Sequence, residues 1–160
     1  MTSFSIEPQK IANYFTCTID RDAGDSITHL KLQKLLYYAQ AWSMVIFNKS
    51  LFEEDFQAWA HGPVLPSIWE GYKEYGYDAI PICSCDHDLP KEIAELMEDV
   101  KRTYGEKSGK SLERLTHSEW PWIDTRGDLE PEARSNKPIP KDLMKEFYSS
   151  LRTKADEDTE

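Results

Sequence analysis

The fold is decided by one stretch of the sequence, Leu30-Lys31-Leu32-Gln33-Lys34-Leu35-Leu36-Tyr37-Tyr38-Ala39-Gln40-Ala41-Trp42. Apolar side chains recur in and just beyond it at intervals of three and four residues, as they do on one face of a helix. This face consists of Leu32, Leu35, Leu36, Ala39, Trp42 and Ile46, and it is widened by Leu30, Tyr37, Tyr38, Ala41 and Val45. A helix that is apolar on almost every side must be surrounded by other elements. The stretch therefore predicts a central helix inside one small core.

Prolines and glycines mark the elements around this helix, because proline is favoured in the first turn of a helix and glycine just after its end. Amphipathic segments begin at Pro8, Pro66, Pro90 and Pro140, and Ser108 or Ser111 can cap a shorter one. The first segment is expected to end near Ala23-Gly24, and residues 116–122 are expected to form an aromatic turn. Residues 53–59 fit a short helix or a hairpin arm. The prediction is a mainly α, compact single-domain bundle of about six helices around the central one.

The length of the chain limits its domain organisation. A chain of 160 residues fits one domain, and a domain of that size buries roughly 70% of its unfolded surface, so its core needs no disulfide or metal. We assign residues 1–152 to this domain. Residues 153–160 contain four acidic residues and one basic residue, and we expect them to form a disordered acidic tail, as solvated charged termini commonly do.

The charge balance narrows the class of partner. The sequence has 29 acidic and 19 basic residues and a net charge of −10. Nucleic-acid binding depends on lysine and arginine side chains that neutralise phosphates, so we expect no nucleic-acid partner. The acidic surface either accelerates encounter with a basic protein or only keeps the chain soluble.

Cellular location is inferred from what the sequence contains. No apolar run approaches the roughly 20 residues that cross a bilayer, and no signal-like segment is present in residues 1–10. The three cysteines are an odd number, which is typical of a reducing compartment. We expect a cytoplasmic protein that does not bind membranes.

One cluster of possible metal ligands occurs in the sequence, at Cys83, Cys85 and His87. The spacing departs from that of structural zinc knuckles, and no second ligand pair follows downstream. We therefore interpret this segment as a loop and expect neither a metal nor a cofactor.

Two histidines are candidates for acid–base chemistry. His61 precedes Gly62-Pro63, but no serine, cysteine or paired carboxylate lies near it in sequence to complete a relay. A turn in which the imidazole bonds to backbone is the alternative. His117 follows Thr116 at the end of a helical segment, where capping of the last carbonyls is the expected role. No catalytic residue is assigned.

Three motifs, taken in order, resemble the Panacea antitoxin domain, a family also described as SocA-like or phage-associated. They are residues 27–40 with Leu51-Phe52, residues 56–64 (Phe-Gln-Ala-Trp-Ala-His-Gly-Pro-Val), and residues 115–117 (Leu-Thr-His) with Pro121-Trp122. The resemblance extends roughly from Pro8 to Leu151, which is nearly the whole chain.

The resemblance implies a mainly helical bacterial protein, often encoded beside a toxin or in a prophage, that suppresses a partner by binding it. It implies no enzymatic activity and supplies no catalytic set. The positions shared with the family are Leu32, Lys34, Leu35, Tyr38, Trp59, His61, Gly62, Pro63, His117 and Trp122. Because leucines and tyrosines at helical spacing are typical of a core, these positions also fit a structural role.

Three functions are compatible with these observations. The first is an antitoxin that occludes a cognate protein toxin encoded next to it. The second is a proteolytic adaptor that holds a toxin while a mobile segment docks an unfoldase or protease, and the acidic tail is the obvious candidate for that segment. The third is a hydrolase that uses His61 or His117 with an acid not visible in sequence.

The partner surface is predicted from aromatic side chains. Trp69, Tyr72 and Tyr75 recur at intervals of three, which exceeds what a single buried stripe requires. We predict that this edge, supported by the turn at His61 and flanked by Trp120 and Trp122, is exposed and forms the surface for a partner or for self-association. The alternative is that these rings line the core.

Overall fold

The computed structural model describes residues 2–21, 26–82 and 86–158. These residues form seven α-helices, a 3-10 helix at Lys73–Tyr75 and two pairs of short strands. The helices are α1 (Pro8–Thr18), α2 (His29–Phe47), α3 (Pro66–Tyr72), α4 (Lys91–Tyr104), α5 (Gly109–His117), α6 (Trp120–Arg126) and α7 (Lys141–Asp158). The strands are β1 (Thr2–Ser3), β2 (Lys49–Ser50), β3 (Gln57–Trp59) and β4 (Gly62–Val64). The mainly α, compact fold predicted from the sequence is confirmed.

Helix α2 lies at the centre of the fold, with α1, α3, α4, α5 and α7 packed around it. It begins where the Thr28 side chain accepts a hydrogen bond from the Lys31 backbone N–H, which satisfies one free donor of the first turn. It ends at Asn48, whose φ of 56° is the left-handed conformation common at helix C-termini. Of the helices in the described ranges, none has the length and apolarity needed to span a membrane.

The polar side chains of α2 are buried and bond to the main chain of its neighbours. Gln33 donates to the Leu65 carbonyl at 3.3 Å and accepts from the Leu65 N–H at 2.8 Å. Gln40 donates to the Phe52 carbonyl at 2.9 Å and accepts from the Leu51 N–H at 2.6 Å. A buried amide is stable only when its donors and acceptors are paired. These glutamines therefore fix the segments that follow β2 and β4 against the central helix.

A short helix or a hairpin arm was expected at residues 53–59. The structure shows the hairpin arm, because residues 57–59 form β3. Strands β3 and β4 pair antiparallel, with Gln57 opposite Val64 and Trp59 opposite Gly62. The hairpin is extended by a bridge between Gln57 and Pro138. The other strand pair, β1 with β2, is parallel and joins the chain start to the end of α2.

A second cluster of polar side chains in the core connects three helices. The hydroxyls of Tyr38 and Tyr148 donate to Glu119 Oε1 at 2.6 and 2.9 Å, and the Tyr148 hydroxyl lies 3.1 Å from that of Tyr37. Burial raises the pKa of Glu119, although the two tyrosine hydrogen bonds oppose this. The network connects α2 and α7 to the start of α6.

Several expectations about individual elements were wrong. Helix α1 ends at Thr18, well before Ala23-Gly24, and residues 22–25 lie outside the described ranges. The turn expected at residues 116–122 is interrupted by the start of α6, because Pro121 is compatible with the first turn of a helix. Ile46, which was expected on the buried face of the central helix, is 46% exposed and lines a pocket between α2 and α4.

Helix α7 extends to Asp158, whereas a disordered tail was expected from residue 153. Residues 151–158 are all exposed, so this part of the helix depends on its own backbone hydrogen bonds more than on packing. Residues 159 and 160 lie outside the described ranges. The division at residue 152 stays a prediction.

The tyrosine–glutamate network should contribute measurably to stability. In Tyr148→Phe, the buried Glu119 carboxylate loses one of its two donors, and we expect the free energy of unfolding to fall by about 1–3 kcal/mol. Urea denaturation followed by circular dichroism measures this change. Tyr77→Phe is the matched control, since Tyr77 is 91% exposed and its substitution should have no effect. Equal stability of the two variants would contradict the role given to the network.

Candidate functional site

An open groove of about 780 Å³ lies beside the β3–β4 hairpin. One part of its lining comes from the hairpin and α3, namely Trp59, Ala60, His61 and Trp69. The other part comes from the loop between α6 and α7, namely Glu132, Arg134, Ser135 and Asn136. Grooves of this size with aromatic walls and a few polar groups are typical binding sites.

The aromatic wall consists of two indole rings. The ring centroids of Trp59 and Trp69 are 5.4 Å apart at an interplanar angle of 58°. Trp59 Nε1 donates to Gln57 Oε1 at 2.8 Å, which fixes the ring orientation. Lys73 Nζ lies 5.0 Å from the centroid of the Trp69 ring, so this ring already contacts a cation. Both rings are partly exposed.

Beneath the hairpin lies Lys34, which is fully buried. Its Nζ donates to the Pro63 carbonyl at 3.1 Å. Burial lowers the pKa of Lys34 to about 7, an effect that the Glu113 carboxylate only partly offsets. A lysine that loses hydration in this way is destabilising in its charged form. Its role is therefore to hold the backbone of β4 and not to strengthen the core.

Gly62 makes this close approach of Lys34 possible. Its φ is +99°, and a Cβ added to it would lie 2.7 Å from Lys34 Cε and 2.9 Å from Thr116 Oγ1. Both features exclude other residues without a rearrangement. The shared positions Lys34, Gly62 and Pro63 thus form one packed unit.

His61 is oriented by a carboxylate that the sequence analysis missed. Its Nδ1 lies 2.7 Å from Glu113 Oε1, and Lys110 Nζ lies 3.1 Å from Glu113 Oε2. Burial raises the pKa of Glu113, but the hydrogen bonds and charges of His61 and Lys110 outweigh it and the pKa is lowered. The imidazole itself is largely exposed to the groove side. Glu113 is 52 residues from His61, so no local motif could have indicated the pair.

His117 does not cap α5 as expected. Ser118 takes that role, since both its N–H and its hydroxyl bond to the Leu115 carbonyl. The His117 ring instead stacks on Trp122, with centroids 4.0 Å apart and an interplanar angle of 18°. Burial lowers the pKa of His117, opposed by the charge of Glu113 and a hydrogen bond with the Ala60 backbone.

Arg126 is a further site residue that the sequence analysis missed. Its guanidinium is buried and donates to the main-chain carbonyls of Ala58 at 2.9 Å and of Glu130 and Ala133 at 2.8 Å each. Trp122 Nε1 donates to the Trp59 carbonyl at 2.8 Å. Helix α6 therefore fastens the hairpin and the loop that follows it into one unit.

The structure divides the predicted partner surface. His61 and Trp69 line the groove. Tyr75, at the end of the 3-10 helix that follows α3, is partly buried and is not part of the groove lining. Trp120 is 58% exposed but does not belong to the groove lining.

Tyr72 and Trp122, by contrast, are only 7% exposed. The prediction that they are exposed was wrong, because the Tyr72 hydroxyl accepts a hydrogen bond from α1 at Gln9 and Trp122 packs between His117 and Arg126. Binding of a partner at Trp69, Tyr75, His61 or Trp120 stays a prediction.

The family-shared positions separate into two groups. Leu32, Leu35 and Tyr38 are fully buried in the core, as expected. The others surround the hairpin, and these are Lys34, Trp59, His61, Gly62, Pro63, His117 and Trp122. The structure thus brings together residues that are distant in sequence.

The segment with Cys83 and Cys85 lies outside the described residues. His87 is described, and its ring contacts that of Tyr14 edge-on at 5.3 Å. The expectation that this segment binds no metal stays a prediction.

Comparison with known proteins gives a consistent result. The family model "Antitoxin SocA-like, Panacea domain" matches residues 32–123. A curated relative, "Antitoxin SocA" of Caulobacter vibrioides (strain NA1000 / CB15N), is 29% identical over 133 residues, covering 74% of this chain and 69% of the relative. No solved structure matches. The matched residues 32–123 contain the hairpin, α3, α5 and the start of α6, and therefore most of the site.

The conformation of Gly62 should be essential to the hairpin. We expect Gly62→Ala to lower the free energy of unfolding by about 1–3 kcal/mol, through backbone strain and contact with Lys34. Gly71→Ala is the matched control, because an added Cβ there meets nothing within 4 Å. That helical position should be unchanged or stabilised by up to about 1 kcal/mol. Chemical denaturation of both variants measures the two changes in the free energy of unfolding. Changes of similar size would contradict a special requirement for glycine at position 62.

The burial of Lys34 predicts a pH dependence. Its pKa is about 7 in the folded protein against 10.5 as the ordinary value, so the unfolded chain binds the extra proton between these pH values. The free energy of unfolding of the wild type should therefore rise across this window, by about 5 kcal/mol in total, relative to Lys34→Met. Lys91→Met, at an exposed position in α4, controls for the loss of one charge. Parallel profiles for all three proteins would contradict the prediction.

Proposed function

We propose that this chain, which belongs to the family of SocA-like antitoxins with a Panacea domain, neutralises a cognate protein toxin by binding it directly. The toxin would be encoded next to it in a bacterial or phage genome. The observation that carries the proposal is that the family match covers the hairpin and α3 wall of the groove, with Trp59, His61 and Trp69, while the loop wall at residues 132–136 lies beyond the matched residues. Of the family-shared side chains, Trp59 and His61 line this groove, and Lys34, His117 and Trp122 contact the main chain of the hairpin.

The physical requirements of tight binding fit this surface. A nanomolar complex needs about 12 kcal/mol and commonly buries roughly 800 Å² on each partner, with a few aromatic or arginine anchors near its centre. Trp59 and Trp69 supply such anchors. Their surroundings are fixed by Arg126 and Lys34, so little ordering entropy is lost on binding.

A proteolytic adaptor is the second candidate, and one observation favours it. The last two turns of α7, residues 151–158, are exposed. An unfoldase or protease could contact this extension while the domain holds the toxin. The extension would then act in delivery and not in toxin binding.

A hydrolase is the weakest candidate, although His61 does contact a carboxylate. The only hydrogen bond that the described structure gives to the His61 side chain is with Glu113. A histidine–carboxylate pair without a hydroxyl or thiol in contact lacks the nucleophile of a triad. We expect no catalysis by this pair.

Co-expression with the protein encoded by the adjacent reading frame tests the proposal. We expect the full chain to restore growth, and we expect the chain shortened by residues 153–160 to restore it equally, because direct occlusion does not need the helical extension. The toxin level, followed by immunoblot after synthesis is stopped, should be the same with both.

Two results would change the conclusion. Absence of rescue by the full chain, with both proteins soluble, would exclude direct neutralisation of that partner. Rescue and toxin turnover that are lost together on removal of residues 153–160 would favour the adaptor.

A further inference from the structure

We infer that the groove beside the β3–β4 hairpin binds an extended, arginine- or lysine-bearing segment of the partner protein. This inference rests on the proposed function and names the surface and the chemistry of its partner. Three features lead to it: the rigid construction of the groove, its aromatic wall and the acidic charge of the loop and of the chain as a whole.

The second wall is held in place by a buried cation. Arg126 uses its guanidinium entirely on main-chain carbonyls, including Glu130 and Ala133 of the loop and Ala58 of β3. The loop is bound to the hairpin again where the Ala58 N–H donates to the Lys137 carbonyl at 2.9 Å. Burying an arginine is unfavourable unless its donors are paired. The arrangement holds the loop in one shape beside the groove. A site that is already formed before binding loses less entropy when a partner binds.

The aromatic wall is suited to a cation. Lys73 Nζ lies over the Trp69 ring at 5.0 Å, while its ion pair with Glu70 is at the surface. Indole faces attract cations through the ring quadrupole, and guanidinium groups stack on them especially well. A second indole, Trp59, stands 5.4 Å away at an open angle. Of the two rings, only that of Trp69 has a cation over its face within the described part of the chain.

The acidic excess of the loop and of the whole chain favours a basic partner, although the two charged loop residues that line the groove, Glu132 and Arg134, differ in sign. Between Gly127 and Ser135 the loop has three carboxylates and one cation, namely Asp128, Glu130, Glu132 and Arg134. All four residues are exposed, and within the described part of the chain none of them forms an ion pair. The chain as a whole has a net charge of −10. Complementarity therefore favours a cationic segment, whose approach the whole surface would accelerate.

The extended conformation of the segment follows from the shape of the site. The groove is open to solvent along its length and lies beside a two-stranded hairpin. His61 at its edge offers Nε2 to a partner, because Nδ1 is held by Glu113. An extended segment exposes alternate side chains on one side, so one basic side chain can stack on the indoles while the next reaches Glu132.

Glu132 and Arg134 provide a matched pair for the test, since both line the groove, both are exposed and they differ in sign. The affinity of purified variants for the protein encoded by the adjacent reading frame is measured by calorimetry. We expect Glu132→Lys to weaken binding by about tenfold, as loss and reversal of a complementary charge do. Arg134→Gln should leave the affinity unchanged or increase it. Trp69→Ala should weaken it by at least about tenfold, and Tyr77→Ala should not, since Tyr77 is an aromatic residue that is 91% exposed and lies outside the groove lining.

Three outcomes would overturn the inference. Weaker binding by Arg134→Gln with unchanged binding by Glu132→Lys would indicate an acidic partner segment. Unchanged affinity of Trp69→Ala and Glu132→Lys, with growth still rescued, would place the toxin on another surface and leave the proposed function intact. Self-association of the chain through the groove would be seen as a dimer that Glu132→Lys alters in the absence of toxin. Thermal unfolding of each variant shows whether the fold is retained, and Glu132→Lys tests the inference without a change in the core.

A probe that needs no toxin tests the chemistry separately. A short peptide of alternating arginine and glycine, and the same peptide with glutamate in place of arginine, are titrated into labelled protein. The indole N–H signals of Trp59 and Trp69 should shift with the arginine peptide only, while those of Trp42 and Trp120 stay constant. Equal shifts with both peptides, or none with either, would contradict a cation-binding groove whatever the result of the rescue experiment.

Discussion

The structure depends on one constraint, which is that the central helix α2 buries polar side chains and must pair them. Gln33 and Gln40 are almost fully buried, and each bonds to both a donor and an acceptor of a neighbouring main chain, at Leu65 and at Leu51 and Phe52. An unpaired buried amide is destabilising by about 1–3 kcal/mol. The two glutamines pair backbone groups of the segments after β2 and β4 and so hold these segments at defined positions. Helix α2 therefore arranges the segments around it as well as forming the core.

The candidate site is a consequence of this arrangement. Gln33 fixes the residue after β4, and Lys34 bonds to the Pro63 carbonyl within β4, so the hairpin is held by consecutive residues of one helix. From the other side, Trp122 and Arg126 of α6 bond to the carbonyls of β3. The groove between hairpin and loop is therefore rigid. Main-chain pairing offsets the energetic disadvantage of burying Arg126 but only part of that of burying Lys34, whose pKa is lowered by burial, and the result is a surface of fixed shape.

The sequence predicted well what depends on local periodicity and poorly what depends on distant contacts. The apolar repeat of α2 and its cap at Thr28 were correct because they involve neighbours three or four residues apart. The pairing of His61 with Glu113 spans 52 residues and has no local signal. Tyr72 was predicted to be exposed because its spacing with Trp69 and Tyr75 exceeds a single stripe, but α1 covers it through Gln9. Which side of an aromatic helix is covered depends on tertiary packing, and a pattern along one helix does not contain that information.

Backbone amide hydrogen exchange in Gln33→Leu tests most directly the claim that α2 positions the loops one by one. This substitution removes the acceptor of the Leu65 N–H and the donor to its carbonyl. We expect exchange to accelerate at the amides of Gly62, Val64 and Leu65, while residues 50–52, which depend on Gln40, keep their protection. Uniform acceleration over the whole chain, or unchanged protection at these three amides, would contradict the account.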